Sequence, residues 1–441
     1  MSQVFYRSPK SKYPIAQRAD GVYLYDQHNN AYLDGSGGAA VSCLGYNHPD
    51  VIEAIKAQLD KVPFAHSAFF TNQPQEELAQ RLADRFPESG ARVYFLSGGS
   101  EANETALKLA RQYWLAKGIP GKYKVISREQ SYHGNTLGAL SVSGNAQRRI
   151  TYGPMLQDWP RIPPCYSYRY QQPDESAEQY ALRAANSLEQ SLLEAGPDSV
   201  AAFIAEPIVG ATLGVVAAET GYFKRIREIC DQYNVLLILD EVMCGAGRTG
   251  SYFAFEHDDI IPDIITLAKG LGGGYQPLGA CLCRCSIHDT IVESCGSFAH
   301  GHTYIGHATA CAAGIAVMQV LDEHALLTRI ASIGDQIRSR LHAQFSGHPY
   351  VGDIRGRGLF IGIEIVRDRE SRQAFDNSAA LAATLKQRGM DNGLIIYPGS
   401  GSVDGKCGTH VLLAPPFIYE DRHVDELINK LTRVLDEKHI A

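Results

Sequence analysis

The chain has 441 residues, more than one compact domain usually holds, with 45% apolar and 20% charged residues and a formal net charge of −7. That is the profile of a globular protein with a large core, and its modest acidity argues against a nucleic-acid binder, which presents a basic face. No apolar run reaches the roughly 20 residues that cross a bilayer, and the first residues lack the apolar stretch of a secretory signal, so the expectation is a cytoplasmic protein with no membrane partner.

In chain order, residues 21–25 and 31–33 alternate in the manner of small antiparallel strands, and residues 50–61 have the spacing of an amphipathic helix. Five apolar runs follow, at 92–96, 123–126, 201–205, 235–239 and 263–268. Each is succeeded by small or polar residues and often by a helical pattern. This alternation predicts an α/β domain with a mostly parallel sheet. Cys281, Cys283 and Cys285 lack the separation of a metal-binding pair and read as three small side chains on one face of a strand. The ten cysteines have no secreted-domain spacing and read as reduced thiols. Beyond about residue 312 a long helical stretch leads to residues 355–364, a turn into a strand of a smaller α+β domain. Residues 397–407, rich in Gly and Ser, read as a mobile loop. The expected division is an N-terminal segment, 1–60, contributing to the small domain, a large domain at 61–312, and a C-terminal small domain at 313–441.

Ligands of an open parallel sheet bind beyond the carboxyl ends of its strands. The first run ends in Ser97, Gly98, Gly99, Ser100 and Glu101, and the second is followed by Tyr132, His133 and Gly134. The third ends in Glu206 and Pro207, the fourth in Asp240, and the fifth in Lys269 and a run of glycines. Each has an ordinary alternative: a tight turn, a core tyrosine, a strand terminator, a helix cap, a solvated lysine. The turn at 97–100, however, precedes a helix with Ala102, Ala106, Leu109 and Ala110 along one face. Glycines that admit close approach, with unpaired N–H groups at a helix start, hold a phosphate. Lys269 follows a strongly apolar run, and desolvation turns an amine into a nucleophile for carbonyls. A buried Asp240 needs a partner, which a cationic ring nitrogen supplies. A phosphate cradle, a lysine, an acid and an aromatic face together match pyridoxal 5′-phosphate.

These residues also resemble those of the class III aminotransferases, the ω-amino-acid and amine–pyruvate group of fold-type-I (aspartate-aminotransferase-like) pyridoxal-phosphate enzymes. The resemblance runs from about Tyr23 to Phe417. It rests on residues 33–38, on Gly98 to Glu104, on Tyr132-His133-Gly134, on Glu206-Pro207, on Asp240 to Val242, on Gly247 to Gly250, on Lys269-Gly270 and on His302-Thr303-Tyr304. It implies that Gly99 and Ser100 hold the phosphate, that Tyr132 stacks on one ring face and Val242 presses on the other, and that Asp240 pairs with the ring nitrogen. Lys269 would form the Schiff base and shuttle the proton. His133 and Glu206 would support the cofactor, and Thr303 would reach the phosphate of a second subunit. Arg248 and the turn at 355–358 would be structural. A homodimer or dimer of dimers is implied, with a small-molecule amine donor and a 2-oxo acid acceptor as partners.

Two positions depart from the ornithine and γ-aminobutyrate branches, where a Glu and an Arg pair with each other and the Arg is freed to hold the α-carboxylate of glutamate or 2-oxoglutarate. Here they are Ala211 and Leu412. Loss of both is expected when that switch is not used, because a lone buried charge is costly. The pattern is similar to the amine–pyruvate branch, whose late-loop arginine is also missing; Lys406 and then Cys407 stand there. The expected substrate contacts are Ala40, in a stretch of small residues where amine transaminases carry a bulky aromatic, Phe70 as an apolar wall, and Lys406. The expected reaction is amino transfer from a primary amine or ω-amino acid to a small 2-oxo acid, pyruvate first. A 2-oxoglutarate-dependent enzyme, an aminomutase and a decarboxylating transaminase share the fold, and a cofactor-binding regulator is the alternative of another class.

Overall fold

The computed structural model describes residues 2–440. Near the N-terminus, strands β1 (Ala16–Asp20), β2 (Tyr23–Asp26) and β3 (Ala31–Asp34) form an antiparallel meander. The β2–β3 turn is set by Asp26, whose Oδ1 accepts the backbone N–H groups of His28 and Asn30, both at 2.9 Å. Short polar side chains of this kind close turns by replacing a backbone acceptor. Helices Pro49–Lys61 and Gln73–Arg85 follow, each with Pro at its start, where no intrahelical N–H bond is lost.

The main sheet has seven strands: β4 (Arg92–Leu96), β5 (Lys124–Arg128), β6 (Arg161–Ile162), β7 (Val200–Ala205), then, past a small hairpin of β8 (Ile208–Val209) and β9 (Val216–Ala217), β10 (Leu236–Asp240), β11 (Ile264–Leu267) and β12 (Gly279–Cys283). Their spatial order is β4-β12-β11-β10-β7-β5-β6. All run one way except β12, which pairs antiparallel with both β11 and β4. Every residue of β7, β10, β11 and β12 is buried, as in sheets covered by helices on both faces. The helix Gly99–Ala116 lays Ala102, Ala106, Leu109 and Ala110 on one face of this sheet, and Trp114 Nε1 donates to the Ala201 carbonyl at 2.8 Å.

The five runs read from the sequence are all strands of this sheet. The strand expected to carry three cysteines carries two. Cys281 and Cys283 sit on one apolar face of β12, while Cys285 opens the helix Cys285–Cys295. Two residues separate same-face positions on a strand, and the chain leaves the sheet at Arg284.

The C-terminal part is an antiparallel sheet, order β13-β14-β17-β16, made of β13 (Val351–Arg357), β14 (Phe360–Ile365), β16 (Tyr397–Ser400) and β17 (Thr409–Leu413). Between them, β15 (Leu394–Ile395) leaves to pair in parallel with β3, which stitches the two ends of the chain together. The segment expected to be one mobile loop therefore begins as a strand. Residues 397–400 find a ladder partner in β17, which loop-like composition does not reveal. The remainder is tied down through Ser402, whose hydroxyl donates to Glu364 Oε1 at 3.0 Å. Glu364 is fully buried, also paired with Arg169 and Arg355, and those two guanidiniums hold its carboxyl below the usual range against the opposing effect of burial. The expected boundary at 312/313 falls inside the continuous helix Ala308–Glu323, which packs against helices Pro49–Lys61 and Gln73–Arg85. Arg248, buried beneath the Phe417 ring, donates to the carbonyls of Leu359 and Pro415 and so ties the strand-end loops to the C-terminal sheet.

Candidate active site

A cavity of about 310 Å³ opens beyond the carboxyl ends of β4, β5, β7, β10 and β11. Gly99, Ser100, Tyr132, His133, Glu206, Asp240, Val242 and Lys269 all line it. Five separate strand ends meet there because the parallel strands terminate at one edge of the sheet.

Asp240, the last residue of β10, is 3% exposed. Its Oδ2 accepts from Asn103 Nδ2 and from His133 Nδ1, each at 2.8 Å, and its Oδ1 accepts from the Val242 N–H at 3.0 Å. A carboxylate only accepts, so His133 Nδ1 carries the hydrogen. Three of the roughly four lone-pair sites of a carboxylate are thus filled, leaving one for a further donor. His133 Nε2 is buried without a partner, and a buried polar atom of that kind marks a place for a missing group.

Asn103 is fixed in turn: Nδ2 donates to the His133 carbonyl at 2.6 Å and Oδ1 accepts from Thr266 Oγ1 at 2.8 Å. Glu206 accepts the N–H groups of Tyr132 at 3.0 Å and Gly210 at 3.1 Å. Burial raises its carboxyl above the ordinary range, partly opposed by His133. Glu206 therefore orients the loop that carries Tyr132.

Lys269 follows β11 with φ of 47°, a left-handed backbone that a non-glycine residue adopts only where its surroundings enforce it. Burial lowers its amine to about 8, while Asp240 and Glu206 push the other way. A large fraction of the amine is then unprotonated at mildly alkaline pH, the form that attacks a carbonyl.

The start of helix Gly99–Ala116 also lines the cavity. Gly99 and Ser100 lie in its first turn, where N–H groups have no intrahelical acceptor. A Cβ on Gly99 would stand 2.6 Å from Val242 Cγ1, and one on Gly134 would stand 2.7 Å from Ser100 Oγ. Both glycines are needed for this close packing. Helix start, acid, lysine and aromatic ring suit a phosphate-bearing cationic ring aldehyde, and the open site on Asp240 suits its ring N–H.

The other predicted contacts lie elsewhere in the single chain. Ala40 is 2% exposed and packs with Met243, Phe360 and Leu412; its neighbour Val41 faces the cavity instead. The reason is backbone: successive positive φ values at Gly37, Gly38, Ala39 and Ala40 turn Ala40 inward. Phe70 is 69% exposed, and Thr303 and Lys406 are exposed on loops. None of the four lines the cavity. Leu412 and Ala211, where the carboxylate switch was expected to be lost, pack into one apolar cluster.

The sequence reading left out Asn103 and the Gln276-Pro277-Leu278 stretch, which enters β12 at the cavity edge. Asn103 was detectable: it is a polar residue on the face that also carries Ala106 and Ala110, and a buried polar side chain requires partners.

Comparison with known proteins agrees with this geometry. Residues 6–435 match the family described as aminotransferase class-III. An uncharacterized aminotransferase of Schizosaccharomyces pombe is 42% identical over 98% of this chain and 94% of its own length. A protein named γ-aminobutyrate transaminase 3, chloroplastic, of Solanum lycopersicum is 34% identical over 96% of this chain and 80% of its own. Among solved structures, the ω-transaminase of Pseudomonas jessenii in complex with PMP superposes with a TM-score of 0.91. It is 32% identical, covering 98% of this chain and 96% of that one.

Proposed function

We propose, from the premise that this chain belongs to the class-III aminotransferase family and is a pyridoxal-phosphate-dependent aminotransferase, that it transfers the amino group of a primary amine or ω-amino acid to a small 2-oxo acid, pyruvate first. When bound, pyridoxal phosphate supplies a protonated ring that accepts the electron pair released at the substrate carbon. Every further task falls to groups of the chain itself. Backbone N–H groups of Gly99 and Ser100 hold the phosphate. Asp240, locked by Asn103 and His133, keeps the ring nitrogen protonated through its open acceptor site. Tyr132 and Val242 confine the ring. Lys269 anchors the cofactor, then takes a proton from the substrate carbon and returns it, a role that its lowered amine favours at mildly alkaline pH.

The observation that carries the choice of acceptor is the apolar cluster of Leu412, Ala211, Met243 and Phe360. A dicarboxylic acceptor gains no ionic partner there, and its second carboxylate still loses water. The name of the tomato relative makes 4-aminobutyrate a donor to try first. A homodimer in which Thr303 completes the phosphate site of the second subunit fits the exposure of Thr303 and of the rings of Phe69, Phe70 and Tyr304, apolar groups of the kind that a partner covers. Ten unpaired cysteines fit a reducing compartment such as the cytoplasm. Among the described residues no single helix is long and apolar enough to cross a membrane. The test is the ratio of kcat/KM for pyruvate and 2-oxoglutarate with one shared donor. The reading expects pyruvate to be preferred, and a clear preference for 2-oxoglutarate contradicts it.

A further inference from the structure

With Leu412 apolar and Lys406 exposed, the chain still needs a cation for the carboxylate of its acceptor. The short helix Ala146–Tyr152 supplies a candidate. Asn145 caps it, accepting the Arg148 N–H at 3.1 Å, and the 401–408 loop packs on it, with Gly405 close against Ala146 and Gln130 Nε2 donating to the Gly401 carbonyl at 3.1 Å. Two neighbouring arginines are fully engaged. Arg149 donates to the carbonyls of Leu140, Ser141 and Ser143, and Arg161 pairs with Glu129 and Asp158.

Arg148 differs. It is half-buried and not itself a lining residue of the cavity, but its guanidinium carbon lies 4.5 Å from the centroid of the Tyr132 ring, which is one. Among the described residues its guanidinium has no acidic partner and makes no hydrogen bond; its one polar contact is through the backbone. Its positive charge also reaches the lysine, where it opposes protonation. Stacking on an aromatic face fixes the plane of a guanidinium and leaves its N–H edge free, and that edge matches the two oxygens of a carboxylate.

We propose that Arg148 is the residue that receives the carboxylate of the 2-oxo acid acceptor, in place of the arginines absent from positions 406 and 412; this rests on the transamination reading above. The ring of Tyr132 holds the fork in position, and the bound carboxylate orients the neighbouring carbonyl carbon toward Lys269. A monocarboxylate satisfies the single fork, the same selectivity that the apolar cluster imposes.

The experiment compares an acceptor that carries a carboxylate with a small aldehyde that has none. Holoenzyme is converted to its amine-loaded form with excess donor, freed of donor, and mixed with pyruvate or with propanal while the absorbance of the bound cofactor is followed. Arg148→Met is expected to raise the half-saturating pyruvate concentration about ten- to a hundredfold, with little change for propanal. Arg148→Lys should recover part of the loss, and Lys406→Ala should leave pyruvate unaffected. A second readout needs no turnover: binding of propionate to the holoenzyme, read from the cofactor absorbance, should weaken by the same factor. Equal losses with pyruvate and propanal, or unaltered pyruvate and propionate binding, would overturn the assignment, as would a selective pyruvate defect in Lys406→Ala alone. If the unaltered protein transfers to neither acceptor, the transamination reading fails, and propionate binding still decides the role of Arg148.

Discussion

Replacing Asp240 by Asn keeps the shape of the side chain and removes its charge. Three contacts change at once. The amide presents one oxygen where the carboxylate accepted from Asn103, His133 and Val242, so its NH₂ group faces donors. The larger effect falls on the cofactor. A unit charge pair about 4 Å apart is worth about 4 kcal/mol at an effective dielectric near 20. At 3% exposure, water does little to replace the lost charge. If that interaction keeps the ring nitrogen protonated as charge develops, its loss slows the amine half-reaction by roughly a thousandfold, since about 1.4 kcal/mol is a factor of ten. The assay is the single-turnover rate with one amine, alongside a thermal melt to verify folding. A folded Asp240→Asn protein whose rate stays within a factor of a few of the parent would refute the ring-nitrogen role and leave Asp240 as a cap for the Val242 turn.

Asn103→Leu removes the donor to Asp240 and leaves the Thr266 hydroxyl without its acceptor. A loss of about 1–3 kcal/mol is expected for the unsatisfied buried group, together with weaker cofactor binding; a melt and a cofactor titration check both, and an unchanged titration would count against the positioning role. The Lys269 amine gives a pH test. Lowered to about 8 by burial, it predicts that cofactor uptake by the cofactor-free protein rises with pH and levels off above that value; an inflection in the ordinary lysine range would argue that the amine is solvated. The linked stability runs the same way. Between that value and the unfolded lysine pKa the unfolded chain holds more protons, so stability rises with pH through this window, and the cost of burying the lysine is fully felt below it.

The parallel strands were legible because fully buried strands are continuous apolar runs, and their shared carboxyl edge then places the site. Lys269, Asp240, Glu206, Tyr132 and the turn at 97–100 stand at or just beyond that edge, and all of them line the cavity. The strand that carries Cys281 and Cys283 was read, but not its place as the antiparallel member of the main sheet, because its direction is decided only by its neighbours β11 and β4. The first four residues of the 397–407 segment, Tyr-Pro-Gly-Ser, escaped because an edge strand that contains Pro, Gly and Ser has loop composition, and its partner lies later in the chain. Ala40 was misjudged because one residue of register decides which side chain meets the cavity, and the positive φ values that set it are not encoded in composition. Arg148 lies 16 residues beyond Tyr132, on a different element, and only the folded chain stacks the two.

The central claim is that Lys269 carries the cofactor. Borohydride reduction of the holoenzyme, followed by proteolysis and mass spectrometry of the peptides, tests it directly. The account predicts one phosphopyridoxyl group per chain, on the peptide containing Lys269, and none in Lys269→Ala. Label on a different lysine, or full labelling of the Lys269→Ala protein, would contradict it.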